Sequence, residues 1–163
     1  MSTVDMCSSI VRPATQSDRD VFSNLLQLYL YDMASANYFP ISPNGAYDYD
    51  FLDRFWEHPY LLYDQETLIG FALVTSRCHI TGRSPCWFMG EFFVLRPHRR
   101  KGLGEQAVKE ILSRHPGQWH LTNLVENAGA DAFWSRVLPD DAQEQPLKFD
   151  GDDWMLRAFV SGV

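Results

Sequence analysis

Cysteine is scarce in this sequence, and long apolar runs are missing. Cys7, Cys78 and Cys86 are the three cysteines among 163 residues. Their spacing matches no metal-binding motif, and any disulfide scheme leaves one of them over. We therefore predict no metal site and a reduced, cytoplasmic protein. No apolar stretch approaches the roughly 20 residues that cross a bilayer, so we expect no membrane partner. Residues 1–20 have neither a basic start nor an apolar core, so we expect no secretory signal.

Positive charge is also in deficit. Fourteen Lys and Arg stand against 21 Asp and Glu, which gives a net charge of −7. Such a surface repels phosphate backbones, so nucleic acid is a poor candidate for a partner. One segment runs against this balance, because residues 96–101 hold five potential cations. They are Arg96, His98, Arg99, Arg100 and Lys101.

What remains is an ordinary globular composition. Apolar residues make up 45% of the chain and charged residues 21%. A chain of 163 residues can bury a core without disulfides or a structural metal. No repeat, low-complexity segment or Pro/Gly-rich linker divides the sequence. We therefore predict a single domain over residues 1–163.

Hydrophobic periodicity predicts a mixed order of strands and helices. The predicted strands cover residues 9–12, 59–63, 67–75, 86–95, 118–125 and 154–160. The predicted helices run from a capping box at Thr15 and Asp18 to about Ala34, over about 50–56, from Gly102 to before Pro116, and over 127–137. The polar stretch 139–146 is assigned to no element. This order is not a regular alternation of strand and helix.

The most informative segment is a buried strand, then the basic loop, then a helix that begins at Gly102 and Gly104. The first amides of a helix lack intrahelical acceptors and lie at the positive end of its dipole. Glycine lets a ligand approach them without meeting a Cβ atom. Such a site would hold a diphosphate. A solvated basic loop before an ordinary helix is the alternative that the residues leave open.

Spacing weighs against two other phosphate-binding motifs. There is no Gly-Lys-Ser/Thr, so the segment is not a P-loop. Gly102-x-Gly104-x-x-Ala107 fits a dinucleotide fingerprint, with Glu126 about where a ribose-binding acid would lie. However, most of the chain precedes this motif and only one further strand–helix–strand unit follows. A dinucleotide-binding oxidoreductase is therefore the weaker hypothesis.

The segment Val94-x-x-x-x-Arg99-x-x-Gly102-x-Gly104 resembles motif A of the GNAT superfamily of N-acetyltransferases. That motif reads Val-x4-Arg/Gln-x-x-Gly-x-Gly/Ala. The resemblance covers essentially the whole chain in element order. It implies an α/β (α+β) fold: a mixed, mostly antiparallel sheet of six to seven strands, splayed between strands 4 and 5 and flanked by about four helices.

The same resemblance implies acetyl-CoA as co-substrate and a set of residues that bind it. In the family the amides of this loop bind the CoA diphosphate, and the amide of Val94 stabilises the oxyanion formed on attack. Asn127 would bind the pantetheine arm. The implied cofactor-binding residues are Val94, Arg99, Arg100, Lys101, Gly102, Leu103, Gly104 and Asn127.

Transfer to nitrogen requires a neutral amine, and Glu91 is our candidate for the base. A primary amine of pKa about 10.4 is neutral in about one molecule in 10³ at pH 7, so a carboxylate is the expected remedy. Glu91 is an acid in an otherwise apolar strand, three residues before Val94. The alternative is a structural carboxylate bonded to the backbone or to an arginine. Asp32 and Glu126 are weaker candidates.

A second segment, Asn127-x-x-Ala130-x-x-Phe133-Trp134, is similar to the family's Asn-x-x-Ala-x-x-Phe-Tyr helix. It departs from that pattern at Trp134, where the family's tyrosine donates a proton to the thiolate. All seven tyrosines lie within the first 63 residues. Water or Tyr31 would have to replace it, or the thiolate leaves unassisted.

The acceptor amine is predicted to bind near the first two helices. In the family these helices and their connection form much of the acceptor wall, and here Tyr31, Asp32 and Tyr38 are the candidate residues. Aromatic faces and carboxylates suit a cation, such as a polyamine, an aminosugar or a protein amine. An aromatic surface loop that packs on the core or forms a dimer contact is the alternative. The resemblance also favours a homodimer.

The leading hypothesis is thus direct acetyl transfer from acetyl-CoA to a primary amine. A GNAT-like module that binds acyl-CoA without turnover is the second hypothesis, supported mainly by the missing tyrosine.

Overall fold

A computed structural model describes residues 9–35 and 38–162. Seven strands form one sheet in the order β1-β2-β3-β4-β5-β7-β6. They are β1 (Val11–Pro13), β2 (His58–Asp64), β3 (Thr67–Thr75), β4 (Trp87–Val94), β5 (Gly117–Leu124), β6 (Gln143–Phe149) and β7 (Asp152–Ser161). The α-helices are α1 (Arg19–Met33), α2 (Leu52–Phe55), α3 (Leu103–Arg114) and α4 (Ala128–Val137). Single 3-10 turns cover Gln16–Asp18 and Arg96–His98.

Every pair of neighbouring strands is antiparallel except β4 and β5, which run parallel. This architecture confirms the predicted fold class and agrees with the GNAT architecture. It also removes the dinucleotide hypothesis, because a doubly wound domain needs a sheet of mostly parallel strands. The glycines before α3 fit that fingerprint in spacing alone.

The two faces of the sheet carry two separate apolar clusters. On one face, side chains of α1 and α2 such as Phe22, Leu26 and Phe55 pack against β3 and β4. On the other face, Val108 of α3 and Trp134 of α4 pack against the same sheet. The central strands are therefore covered on both sides, which explains the near-continuous apolar run of β4 in the sequence.

Strand β6 was missing from the sequence prediction. It is the edge strand beside β7, and six of its seven residues are exposed, so it shows no apolar alternation. Pro146 lies within it, and proline in a sheet is confined largely to edges. A signal was present nonetheless. Asp150 and Gly151 both have positive φ angles, 53° and 83°, and Asp-Gly is a strong hairpin-turn pair.

Contact between β3 and β4 depends on a glycine. Gly70 pairs with Val94, and a Cβ atom at Gly70 would lie 2.0 Å from the carbonyl oxygen of Phe93. That oxygen belongs to the backbone of a central strand, so it cannot move aside cheaply. Gly70 is therefore required for the two strands to approach each other where β4 reaches Val94.

We predict that Gly70→Ala lowers the free energy of unfolding by about 2–4 kcal/mol, because the added methyl group collides with backbone. Urea unfolding followed by circular dichroism measures this change. Gly129→Ala is the matched control, since its Cβ atom would meet only the Asn127 side chain, at an ordinary 3.8 Å. The control should be neutral or slightly stabilising. Equal stability of Gly70→Ala and the wild type would contradict the prediction.

Candidate active site

The candidate site is a cleft within the sheet, between β4 and β5. The two strands pair only at their starts, from Trp87 opposite Trp119 to Met89 opposite Leu121. Beyond Met89 they separate, as expected from the family resemblance. The gap opens into a cavity of about 280 Å³. Residues that line it include Tyr29, Phe51, Arg54, Phe55, Gly90, Glu91, Phe92, Asn123, Asn127, Trp134, Asp150, Asp152 and Trp154.

A β-bulge in β4 lies where the separation begins. Leu73 is opposite Glu91 and Val74 is opposite Met89, so Gly90 is left without a partner. A bulge bends its strand and redirects the following side chain. Gly90 also lies under the Phe55 ring, and a Cβ atom there would be 2.9 Å from it. Glu91 follows the bulge directly and lines the cavity.

The Glu91 carboxylate lies in an apolar, aromatic setting. Its Oε1 accepts a hydrogen bond of 3.2 Å from the Tyr49 hydroxyl. No ion pair joins Glu91 to a cation in the described part of the chain. Burial raises the pKa of Glu91 to about 7, although hydrogen bonds from Tyr29 and Tyr49 act to lower it. A carboxylate with this pKa is half ionised near neutrality, which suits a general base.

The amide of Val94 faces the gap. The amide of Leu95 donates to Ile69 of β3 at 2.7 Å, and amides of successive residues in a strand point to opposite sides. Val94 N–H therefore points away from β3, toward the side from which β5 has withdrawn. By the same alternation, the amide of Phe92 points that way as well. Both lie beyond Met89, where pairing with β5 has ended.

The predicted diphosphate loop runs from Arg99 to Gly104. Arg100 and Gly102 have φ angles of 62° and 78°, both left-handed. The first helical bond described for α3 is Gln106 N–H to the Gly102 carbonyl, 3.1 Å. The amides of residues 102–105 therefore lack intrahelical partners. A Cβ atom at Gly102 would meet nothing within 4 Å, so the helix end is open to a ligand.

Gly104 lies at a close packing contact of α3. A Cβ atom there would lie 3.3 Å from Phe133 of α4 and 3.7 Å from Val94. The glycine therefore lets α3 pack closely against α4 and against the end of β4. Leu103, the first residue of α3, packs with its side chain against the same core cluster. In these two residues the backbone amides are the groups available to a ligand.

The three basic residues of the loop have different surroundings. The Arg99 guanidinium is occupied, because its Nε donates to the Val94 carbonyl at 2.7 Å and its Nη2 donates to Asp32 at 2.8 Å. Arg100 and Lys101 are exposed and have no ion-pair partner among residues 9–35 and 38–162. They are the loop cations available to an incoming anion.

Asn127 is the N-cap of α4. Its Oδ1 accepts a hydrogen bond from the amide of Ala130 at 3.1 Å, and Asn127 also lines the cavity. The cap uses the oxygen and leaves the Nδ2 hydrogens for a ligand carbonyl. Trp134 also lines the cavity but is only 6% exposed, packed against Phe92 with ring centroids 5.3 Å apart. Trp134 thus forms part of the core and part of the cleft wall.

The three residues predicted to bind the acceptor are not brought together around the cavity. Tyr31 and Tyr38 are 68% and 81% exposed, and neither is among the residues that line it. Asp32 accepts hydrogen bonds from Arg96 and Arg99. Burial acts to raise the pKa of Asp32, but these two arginines hold it below its usual value. Asp32 is thus suited to ion pairing rather than to proton abstraction.

Several cleft residues escaped the sequence analysis. Tyr29 and Tyr49 are among them, because both lie far from Glu91 along the chain and nothing in the sequence links them to that carboxylate. The β6–β7 hairpin contributes Phe149, Asp150 and Asp152 and was missed with β6. Its Asp-Gly turn was the signal that could have located it.

A buried arginine that holds α4 in place was also missed. Arg157 of β7 is 1% exposed. Its Nη2 donates to the Asp131 carboxylate at 2.8 Å and to the Ser135 hydroxyl at 3.0 Å, and its Nη1 donates to Asn123. Arg157 thus ties β7 to α4, the helix capped by Asn127. A lone arginine in an apolar strand is the only trace of this network in the sequence.

The family model described as "Acetyltransferase (GNAT) family" matches residues 28–138. The chain therefore belongs to the GNAT acetyltransferase family, and its activity is acetyl-CoA-dependent N-acetyl transfer. The match includes β4, β5, α4 and the predicted diphosphate loop, but not the β6–β7 hairpin that also lines the cavity. A comparison with curated proteins found no match.

Solved structures similar to the chain share its fold at low identity. The ribosomal-protein-alanine N-acetyltransferase of Brucella melitensis is 15% identical, with a TM-score of 0.60 over 92% of this chain and 98% of that one. The ribosomal-protein-S18-alanine N-acetyltransferase of Escherichia coli is 14% identical, with a TM-score of 0.60 over 94% of each chain. Salmonella typhimurium yncA, solved with acetyl-CoA, is 13% identical, with a TM-score of 0.60 over 92% of each.

The sequence analysis predicted neither a metal site nor a membrane partner. Within the described ranges, no group of His, Cys, Asp and Glu is arranged to hold a metal ion. None of the helices described is both long and apolar enough to span a bilayer.

We predict that Glu91→Gln changes the pH dependence of stability. The folded chain keeps the Glu91 proton up to about pH 7, whereas the ordinary value is 4.5. The stability that this group contributes is thus present below about pH 4.5 and is lost as the pH rises through 7. Thermal unfolding of both proteins at pH 5 and pH 8 measures this. The variant should gain on the wild type at pH 8, and a constant difference would contradict the raised pKa.

Proposed function

We propose that the protein transfers an acetyl group directly from acetyl-CoA to a primary amine, with Glu91 as the general base. One observation carries this proposal. Glu91 is a carboxylate without a cationic partner among the described residues, and it lines a cavity that Asn127 at the start of α4 and Trp134 within α4 also line. Its neighbour by three positions, Val94, turns an amide toward the same gap.

The alternation of side chains in β4 places base and cofactor on opposite faces of the sheet. Phe93 packs in the cluster of α1 and α2, while Val94 packs in that of α3 and α4. The Glu91 side chain lies on the same face as that of Phe93. The hydroxyl groups of Tyr29 and Tyr49 act on the Glu91 carboxylate from this face. The acceptor would enter from that face and the thioester from the other. The two would meet in the gap, which supports direct transfer.

The cofactor would be held by amides rather than by a buried cation. The open amides at the start of α3 would bind the diphosphate, with Arg100 and Lys101 adding charge from solvent. The pantetheine arm would lie along the unpaired edge of β4, and Asn127 would donate to it. The acetyl carbonyl would then lie near the amide of Val94. In other acyl-transfer enzymes, losing one oxyanion donor costs about 3–4 kcal/mol in the transition state.

Glu91 would supply the neutral amine that attack requires. Deprotonating an amine of pKa about 10.4 at pH 7 costs about 4–5 kcal/mol, and a nearby carboxylate supplies a local acceptor for that proton. The amine then attacks the acetyl carbon, the carbonyl becomes an oxyanion at the Val94 amide, and the C–S bond breaks to release the thiolate. The nitrogen, positively charged after the attack, loses its second proton to the thiolate or to water as the amide forms. Glu91 then returns the first proton to water.

The absence of a tyrosine at Trp134 does not block this sequence. A thiol has an ordinary pKa of about 8.5, so releasing it as a thiolate at pH 7 costs only about 2 kcal/mol. Tyr31, which had been considered as the proton donor, is exposed and lies outside the residues that line the cavity. Departure of the thiolate without a dedicated acid is therefore the simplest mechanism for this chain.

The acceptor proposed here is an amine whose reacting end is small, because it must share about 280 Å³ with the acetyl group. Aromatic rings of Phe51, Phe55 and Trp154 would contact it. Tyr31 and Tyr38 would touch only a larger acceptor that extends beyond the cavity. A homodimer and a cytoplasmic location stay predictions from the sequence.

Acetyl-CoA should stabilise the folded chain. At 100 times its Kd a ligand adds about 2.7 kcal/mol, so we predict a clear rise in Tm with acetyl-CoA and none with NAD. Differential scanning fluorimetry over a concentration series of each measures the shift. Release of free thiol with a panel of amines then separates turnover from binding alone. A Tm shift without thiol release from any amine would favour the module that binds acyl-CoA without turnover.

Glu91→Gln should lower kcat by about 10²–10⁴ at pH 8, the contribution typical of a general base. It should also remove the rise in kcat near pH 7, where the wild-type carboxyl loses its proton. Thiol release at saturating amine, followed from pH 5.5 to 9, measures both. Glu66→Gln serves as the control, because that side chain is 95% exposed at the β2–β3 turn. If both variants retain wild-type kcat, the assignment of the base is wrong.

Tyr49→Phe should move the rise in kcat to higher pH. The Tyr49 hydroxyl donates to Glu91 and acts to lower its pKa, so its loss leaves the carboxyl protonated to a higher pH. The rate then falls at pH 6 and stays near the wild-type value at pH 9. A uniform loss at every pH would instead indicate that Tyr49 only shapes the cleft.

A further inference from the structure

We propose that Asp32, rather than binding the acceptor, is a positioning residue that acts through Arg99 on the cofactor loop and on the end of β4. This inference rests on the proposed function. It is carried by three hydrogen bonds that join α1, the loop and Val94. The two bonds to Asp32 could not be read from the sequence, because Asp32 lies on α1 and the arginines follow β4.

The Asp32 carboxylate accepts hydrogen bonds from two arginines. Its Oδ1 accepts from Arg96 Nε at 2.6 Å and its Oδ2 accepts from Arg99 Nη2 at 2.8 Å. The two arginines bracket the 3-10 turn that leads from β4 into the loop. Only 23% of the Asp32 side chain is exposed, against 63% for Arg96. The carboxylate is therefore fully engaged on one side of this turn and is not directed at the cavity.

Arg99 transmits this contact to the strand. Its Nε donates to the Val94 carbonyl at 2.7 Å, and its guanidinium lies 5.5 Å from the Phe93 ring. One planar group thus holds the carboxylate of α1 and the last carbonyl of β4. The carbonyl belongs to Val94, the residue whose amide would face the acetyl group. The bond from Arg99 therefore restrains the backbone of that residue.

The loop beyond Arg99 has few other anchors. Arg100 and Gly102 turn the chain through two left-handed conformations. Within the described chain, neither the Arg100 nor the Lys101 side chain makes a hydrogen bond or an ion pair. The direction of the free amides therefore depends on Arg99 at the start of the loop and on the packing of Leu103 at its end. Asp32 sets the position of Arg99.

This arrangement links the acceptor side to the cofactor side. Tyr29 lies three residues before Asp32 on the same face of α1. Its ring is 5.4 Å from that of Phe93, and its hydroxyl acts on Glu91. The last turn of α1 thus contacts both the base and the anchor of the cofactor loop.

The experiment measures the Kd of acetyl-CoA by isothermal titration calorimetry. It compares the wild type with Asp32→Asn, Arg99→Lys and Arg96→Gln. We expect the first two to raise the Kd by about tenfold or more, because each breaks a charge-assisted hydrogen bond in the anchor. Arg99→Lys keeps the charge but cannot hold two partners in one plane. Arg96→Gln should have a smaller effect, since Arg96 does not reach Val94.

Asp53→Asn is the matched control. Asp53 pairs with Arg19 at the other end of α1, so this variant also removes a carboxylate–arginine pair from that helix, but far from the loop. Its Kd should equal that of the wild type. Thermal unfolding of each variant reports whether it is folded, and Arg99→Lys keeps the test decisive should Asp32→Asn fail to fold.

Two further readouts separate positioning from a general loss of structure. The double variant Asp32→Asn with Arg99→Lys should be no weaker than the worse single variant, because both remove one shared contact. In Asp32→Asn the pH at which kcat rises should stay unchanged while kcat falls, since Asp32 does not act on Glu91.

An unchanged or tighter Kd in folded Asp32→Asn would overturn the inference. A tighter Kd would mean that Asp32 restrains Arg99 from binding the diphosphate itself. Additive effects in the double variant would overturn it too. A wild type that releases no thiol with any amine but binds acetyl-CoA would refute the proposed function while leaving the effect of Asp32 on Kd measurable. A wild type that does not bind acetyl-CoA would overturn both.

Discussion

The parting of β4 from β5 beyond Met89 is the constraint on which the rest of this structure depends. Within a sheet, an unpaired strand edge leaves buried amides and carbonyls without partners, at a cost of about 1–3 kcal/mol each. The fold tolerates this edge because it lines a cavity, where a ligand can take the missing bonds. The bulge at Gly90 bends β4 away. On the face covered by α3 and α4, Phe92 of β4 packs against Phe133 and Trp134 of α4 and forms part of the cleft wall.

The gap also gives one strand two chemical tasks. Successive side chains of β4 alternate between the faces of the sheet. Glu91 therefore presents its carboxylate to one face, and Val94, three positions later, directs its amide toward the gap. Burial then adjusts the Glu91 carboxylate for proton transfer near neutrality. The apolar surroundings that pack the core thus also raise the pKa of Glu91, and a carboxylate on a solvated loop would not acquire that pKa.

Much of the fold and part of the site could be predicted from the sequence. The strands β2 to β5 and the helices α1, α3 and α4 could be predicted from hydrophobic periodicity and capping residues, because each has a well-defined apolar face. Strand β6 does not, since an exposed edge strand has no apolar face to reveal. The proposed diphosphate loop was predicted from two glycines, of which Gly104 also lets α3 pack closely against Phe133 of α4.

The sequence alone was enough to locate the candidate groups along the chain: a carboxylate in an apolar strand, a helix start with two glycines at Gly102 and Gly104, and an asparagine that opens α4. These signals are local, since each depends on neighbours within one or two turns. The partners of these groups are set by long-range packing. Tyr49 reaches Glu91, and Asp32 reaches Arg99, across large separations along the chain. Such contacts depend on how the sheet brings α1 beside the end of β4, and side-chain pairing across that distance leaves no periodic trace in a single sequence.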